Sequence, residues 1–312
     1  MPDLAPPAFP GRTVFLGAHL CEAKTIWTTL ASRITVSKPE TYEVLALRYA
    51  QRGQRLRGEN FLEAVDNHDT PMPIDFFIWV LRNEHRTIVI DTGFNHAEAS
   101  KRDRTVNCLP REALASVGID AATVEDVVIT HLHYDHAGTL GDFPNARFHI
   151  QESEMQFATG KWMLDDAESH AYSADHVCDL VHSLFEKRVR FHSEDGEVAP
   201  GVSVHRMAGH TMGIQSVRVP TERGNLLLAS DASHYYEHWV KGVPFAICWS
   251  QPDLMSSYDK FEQLADSEDH VIPGHDPLVR DLYPAYSSAT GTEVVRLDAV
   301  PARTLRDVFP ER

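Results

Sequence analysis

His131-Leu132-His133-Tyr134-Asp135-His136-Ala137-Gly138 follows the apolar run Val127-Val128-Ile129-Thr130. A β-branched run of that length reads as a buried strand, and the glycine after the last histidine lets the chain turn sharply, so the cluster belongs on a strand-to-loop corner. Loops at strand ends are where binding and catalytic groups concentrate. Side chains alternate along an extended chain, so His131 and His133 point the same way and can grip one metal ion. Asp135 and His136, just past the bend, are placed to reach a second ion beside the first.

The same event recurs downstream. Val202 to Met207 leads into Ala208-Gly209-His210, Leu226 to Ser230 ends at Asp231, and Val271-Ile272 leads into Pro273-Gly274-His275. Several strands that each end in a metal-type residue can converge on one edge of a sheet system, which is how a rigid scaffold builds a multi-ligand site. Upstream, Thr41 to Tyr49 reads as a strand with blurred alternation, and Arg52 to Arg57 as a turn. Phe76 to Val80 and Thr87 to Ile90 flank the polar Arg82 to Arg86 as a hairpin, closed by Asp91-Thr92-Gly93. Arg147 to Ile150 and Gln215 to Val219 are further strands; Glu112 to Val117 and Leu254 to Leu264 are helices. Residues 152–187 are helix-compatible, anchored by Trp162, Tyr172 and Phe185, and are expected to wall a substrate site. Leu16 to Arg33 has a loosely helical spacing that suits a lid, an oligomer contact or padding alike.

The chain has 312 residues, 43% hydrophobic and 24% charged, the composition of an ordinary globular protein. A net charge of −16 disfavours nucleic acid and anionic membranes, since both repel an acidic surface. Cys21, Cys108, Cys178 and Cys248 lack the paired spacing of zinc fingers or redox motifs and read as free thiols in a reducing compartment. Met1 to Pro10 is proline-rich without the basic-then-apolar order of a signal peptide, and no apolar run approaches a membrane span of roughly 18 residues. The expected setting is cytoplasmic.

His131, His133, Asp135 and His136 form an H-x-H-x-D-H motif, and with His210, Asp231 and His275 in order behind it the chain resembles the metallo-β-lactamase-fold hydrolases over roughly residues 41–280. The resemblance implies an α+β fold, an αββα sandwich of two mixed sheets flanked by helices. It implies one domain over 1–312, with 1–40 an N-terminal extension and 152–187 a helical insertion. It assigns His131, His133 and His210 to one metal, Asp135, His136 and His275 to the other, and Asp231 as the bridge. Imidazole and carboxylate donors without thiolate suit two zinc ions, although cobalt, manganese or iron would also be held. The oxygen-reducing branch of the family carries Glu where this chain has His133. Two ions about 3.5 to 4 Å apart would share a bridging hydroxide, the expected nucleophile.

Asp231-Ala232-Ser233, the spacing to Val243-Pro244-Phe245 and Gly274-His275-Asp276 resemble the N-acyl-homoserine lactonase branch, whose members quench quorum signals and often pair as homodimers. That branch carries a substrate-binding tyrosine three residues beyond the bridging aspartate, and here the position is His234, followed by Tyr235 and Tyr236. The implied reaction is hydrolysis of a lactone or ester, with Asp135 relaying the proton and His234 or Tyr235 donating to the leaving oxygen. A thioesterase of the glyoxalase II type would use the same ligands but would want basic residues for the glutathione carboxylates, and no basic cluster neighbours the motifs. An aromatic substrate, or a non-catalytic metal-binding role, uses the same inventory. Asp91 is expected to fix a loop through backbone hydrogen bonds, His68 and Asp69 to form a turn, and the aromatic stretch Tyr235 to Trp249 to pack the core or line the pocket.

Overall fold

The computed structural model describes residues 40–311. The helical spacing over Leu16 to Arg33 and the thiol of Cys21 lie outside the described residues. In chain order the strands are β1 (Glu43–Arg52), β2 (Ile74–Arg82), β3 (Thr87–Ile90), β4 (Thr105–Val106), β5 (Asp126–Val128), β6 (Arg147–Gln151), β7 (Val189–His192), β8 (Gly196–Ala199), β9 (Val202–Arg206), β10 (Gln215–Thr221), β11 (Gly224–Ser230), β12 (Val271–Pro273) and β13 (Val294–Arg296). The helices that bear on the site are α1 (His96–Arg102), α2 (Pro110–Ser116), α3 (Glu152–Ala158), α4 (Asp166–Ser169), α5 (Ala174–Phe185), α6 (Tyr236–Lys241) and α7 (Gln251–Leu264).

Two mixed sheets result. The larger runs β13-β1-β2-β3-β5-β6-β7 with β4 also on β1, and the smaller runs β12-β11-β10-β9-β8. β3, β5, β6 and β7 are parallel neighbours, as are β11 and β12, while β1, β2 and β3 pair antiparallel. Parallel neighbours end on the same side, so the segments after β3 and β5 emerge together, as do those after β11 and β12.

The blurred alternation of β1 has a physical cause. Val44 and Ala46 enter the apolar layer between the sheets, with Trp79, Val204, Val217 and Leu228. Leu45 and Leu47 point the opposite way, into the layer that α2 and α5 close with Leu114 and Leu180. A strand covered on both faces needs apolar residues at every position, so the period of two disappears from the sequence. The expected hairpin of β2 and β3 forms, with Trp79 opposite Ile90 and Arg82, read as part of the turn, paired opposite Thr87 at the end of β2. β13 adds to the edge of β1 from the chain's last segment, a strand the sequence pattern did not mark. Cys108, Cys178 and Cys248 are free thiols, and among the described residues no helix is long and apolar enough to cross a membrane.

Candidate active site

Each expected metal-type residue arrives where its strand ends. The chain leaves β5 at Val128 and carries His131 and His133 inward, their rings 4.5 Å apart. His131 Nε2 and His133 Nδ1 lie 3.2 and 3.0 Å from His210 Nε2, so three imidazole nitrogens converge. His136 Nε2 and His275 Nε2 each lie 3.7 Å from Asp135 Oδ2, a second convergence. Asp231 stands between the two groups: its Oδ2 is 3.5 Å from His210 Nε2 and 3.9 Å from His131 Nε2, and its Oδ1 is 3.4 Å from His136 Nε2 and 3.0 Å from His275 Nε2. All seven side chains are buried.

The rear nitrogens are anchored, which decides which nitrogen faces the centre. His136 Nδ1 is 2.6 Å from Asp91 Oδ2, His210 Nδ1 is 2.7 Å from the Ile247 carbonyl and His275 Nδ1 is 2.7 Å from the Asp75 carbonyl. A ring that donates from one nitrogen presents a lone pair from the other, the tautomer a metal requires. Asp91 also accepts from the backbone and hydroxyl of Thr130, at 2.7 and 2.8 Å. Asp91 therefore fixes a loop, as its position suggested, and orients His136 as well. Asp91 and Ser230 hold φ of 61° and 49°, uncommon for residues other than glycine, at the two corners that deliver the cluster. A Cβ on Gly274 would lie 2.4 Å from Asp231 Oδ1, so no side chain fits there.

The donor set fits metal ions better than it fits itself. Ligand atoms of His131, His133 and His210, of His131, His136 and Asp231, and of Asp135, His136 and His275 fall within 4.8 Å of one another in each group. His136 Nε2 and Asp231 Oδ1 are buried without a hydrogen-bond partner. Burial, helped by the charges of His136 and His133, drives the His131 imidazole well below its usual range. Burial opposes the His136 imidazolium too, yet Asp231, Asp91 and Asp135 outweigh it and push that group well above its usual range. The carboxylates of Asp231, Asp91 and Asp135 gathered around His136 are charges that a cation at the centre would balance.

His234 enters this centre. Its Nε2 is 3.0 Å from Asp231 Oδ2, and its ring stacks on Phe245 at 4.0 Å. Phe245 is fully buried in the core and backs the His234 ring from behind the cavity lining. Tyr235, expected as an alternative proton donor, is not brought to the cavity: its hydroxyl donates to the Met72 and Pro73 carbonyls at 3.2 and 2.9 Å. Neighbouring residues ahead of α6 project in opposite directions, so an inward His234 entails an outward Tyr235. His68 and Asp69 sit exposed in a turn away from the cavity.

A cavity of ≈ 70 Å³ opens onto the cluster, walled by Ile74, Phe76, His170, Ala171 and Ile247 and, unexpectedly, by Arg55, Arg102 and Arg104. The expectation that no basic residues gather near the motifs is corrected here. These arginines are remote from the motifs in sequence and arrive through the turn after β1 and the end of α1. His170 and Ala171 lie between α4 and α5, so the segment 152–187 does contribute wall. Glu154 is a second residue that no motif marked. Fully buried on α3, it accepts from Leu132 N, Tyr172 Oη, Thr211 Oγ1 and Gly213 N, and so ties the His131–His133 loop to the His210 loop.

Asp91→Asn is expected to weaken divalent metal affinity about 10- to 100-fold, because the anchored His136 tautomer is lost while its donor atom remains. Titration of metal-free protein with zinc against a chromophoric chelator reads this directly; an unchanged affinity would leave Asp91 a loop anchor only.

Comparison with known proteins follows the geometry. The model of the Metallo-beta-lactamase superfamily matches residues 77–275. An N-acyl homoserine lactonase of a Bacillus species is 30% identical over 226 residues, covering 65% of this chain and 82% of that protein. The N-acyl homoserine lactonase AttM of Azorhizobium caulinodans is 32% identical over 186 residues, covering 56% of this chain and 66% of its own. An N-acyl homoserine lactone hydrolase solved with N-hexanoyl-L-homoserine at its catalytic metal center superposes with a TM-score of 0.64 at 22% identity, covering 78% of this chain and 96% of that one. AidC, a dizinc quorum-quenching lactonase, gives 0.60 at 16% identity, covering 83% and 95%. At those structural identities the likeness is one of fold.

Proposed function

We propose, from the premise that this chain belongs to the metallo-beta-lactamase superfamily, that it is a metal-dependent hydrolase that opens a lactone or cleaves an ester in the manner of an N-acyl homoserine lactonase. The observation that carries the reading is Asp231, held between two histidine-rich donor groups by contacts of 3.0 to 3.9 Å. His131, His133 and His210 would hold one divalent cation, Asp135, His136 and His275 a second, and Asp231 both; imidazole and carboxylate donors suit zinc. Bound there, two such ions would supply Lewis acidity toward an acyl carbonyl and lower the pKa of water.

The chain's own groups do the rest. Water adds to the acyl carbon, the acyl–oxygen bond breaks, and the proton lost by water must reach the departing oxygen. Asp135 lines the cavity and would accept that proton and pass it on. His234, which also lines the cavity, would hydrogen-bond the substrate oxygens. Ile74, Phe76 and Ile247 supply apolar wall around the reacting group.

Ring opening of short and long acyl-homoserine lactones and of aryl esters by metal-replete protein tests the reading, with turnover lost on chelation and restored by zinc as the expected result. Under the same reading His234→Phe lowers kcat about 100-fold with a smaller change in KM. No turnover of any lactone or ester sinks the proposal, and an unchanged kcat reduces His234 to packing on Phe245.

A further inference from the structure

Arg55 and Arg104 line the cavity of the candidate centre, and neither has a carboxylate partner among the described residues. Arg218 and Arg223 also bond carbonyls and a hydroxyl, but several other arginines are paired. Arg57 is paired with Glu237 at 2.6 Å, Arg280 with Asp75 at 2.7 Å and Arg102, on the same cavity wall, with Glu98 at 2.7 Å. Arg55 bonds only neutral groups, the Asn60 side-chain oxygen and the Glu59 carbonyl, and is 8% exposed. Arg104 bonds only the Tyr134 hydroxyl, at 2.9 Å, and the Arg102 and Asp103 carbonyls. Neither Arg55 Nη1 nor Arg104 Nη2 is given a protein acceptor by these bonds.

Arg55 is buried and Arg104 half-buried; a desolvated guanidinium without a counter-charge is costly, and a second one on the same cavity adds repulsion. Burial is the largest influence lowering the Arg55 pKa, and the Arg52 and Arg104 charges act in the same direction against Tyr235 and Glu59. Such an arrangement is relieved by an anion between the two groups. The cavity is small, ≈ 70 Å³, and His133, Asp135, His210 and Asp231 line it together with the arginines. In a space that small, a substituent beside the reacting carbonyl comes within reach of the arginines.

We propose that Arg55 and Arg104 form an anion-recognition pair that selects lactone or ester substrates bearing a carboxylate or phosphate-type group close to the scissile bond. This rests on the hydrolase reading above and adds the substrate's charge to it. Arg102 is not part of the pair: Glu98 neutralises it, and it holds the His170 and Tyr172 carbonyls at 2.6 and 3.2 Å.

The test uses the metal-loaded full chain and three matched lactones: 5-oxotetrahydrofuran-2-carboxylate, its neutral carboxamide, and the corresponding phosphonate. The expected ratio of kcat/KM, anion over carboxamide, is about 10- to 100-fold, falling by about tenfold or more in Arg104→Met, recovering in part in Arg104→Lys, and shrinking as KCl is raised. A higher rate for the phosphonate than for the carboxylate supports the pair and assigns it a phosphate-type group; the reverse assigns a carboxylate. Binding supplies a readout independent of turnover: calorimetry on metal-free protein should show the ring-opened dicarboxylate, 2-hydroxyglutarate, binding about tenfold more tightly than 4-hydroxybutyrate, with the difference lost in Arg104→Met. If carboxylate and carboxamide are opened equally well, the anion pair falls and the lactone reading stands. If neither is opened but the calorimetric preference persists and depends on Arg104, the lactone reading falls and the anion pair stands. Should Arg104→Met fail to fold, the salt dependence of the wild-type ratio decides, and a ratio indifferent to KCl overturns the proposal.

Discussion

Asp231→Ala is expected to lower kcat/KM on the best lactone or ester by about a thousandfold or more, the loss of several kcal/mol of transition-state stabilisation. Metal content should fall with it. Its contacts span both donor groups: one carboxylate lies 3.0 to 3.9 Å from nitrogens of His131, His136, His210 and His275, and also of His234. Its removal leaves those imidazoles facing one another around a void, with Asp135 the carboxylate that remains among the ligands. Burial works against the Asp231 carboxylate, yet His275, His136 and His234 hold its pKa well below the ordinary range, so the ionised form is the one the surroundings are built for. Elemental analysis alongside steady-state kinetics checks the prediction. A variant that keeps full metal content and loses less than tenfold in rate would show that the two donor groups act independently, which the geometry argues against.

Glu154→Ala is expected to give the largest loss of stability of any single change near the site, on the order of 3–5 kcal/mol, because it strands buried donors. The carboxylate receives Leu132 N at 3.0 Å, Tyr172 Oη at 2.9 Å, Thr211 Oγ1 at 2.6 Å and Gly213 N at 3.2 Å. Burial raises the Glu154 pKa, and these four bonds oppose the shift. With alanine, two backbone amides and two hydroxyls lose their acceptor in a place water does not reach. Calorimetric melting should fall by roughly 6–15 °C, and zinc affinity should fall too, since the loops bearing His131, His133 and His210 lose their common tie. Glu154→Gln should fall between wild type and alanine, one oxygen remaining as an acceptor. A melting temperature within about 2 °C of wild type would mean that the surrounding loops find other partners for those donors.

The metal-type residues could be read in advance because metal chemistry leaves few substitutes. Only a handful of side chains offer suitable donors, and strands that end on one edge impose a recurring strand-then-ligand order visible at His131, His210, Asp231 and His275. The arginine pair could not be read that way. Arg55 follows β1 and Arg104 follows α1, each in a polar stretch that reads as an ordinary turn, and nothing in either stretch records that the two approach one cavity. Glu154 was equally silent, since a glutamate on a short helix is usually solvated. The roles of His234 and Tyr235 turned on direction: adjacent residues with similar chemistry differ only in which way the backbone sends them, and here the backbone sends His234 to Asp231 and Tyr235 to the Met72 and Pro73 carbonyls.

The sequence by itself determined the donor inventory and the order of strands that carry it, because ligand identity and hydrophobic patterning are local properties of the chain; the two-sheet sandwich followed from the family resemblance those motifs carry. The tertiary structure alone decided that Asp91 steers His136, that Glu154 ties two loops together, and that two guanidinium groups with no carboxylate partner among the described residues line the same small cavity as the candidate metal donors. Those are relations between residues distant in sequence. They arise when side chains from separate elements meet in a space closed to water, where a charge or hydrogen-bonding group must be matched by whatever the fold brings beside it.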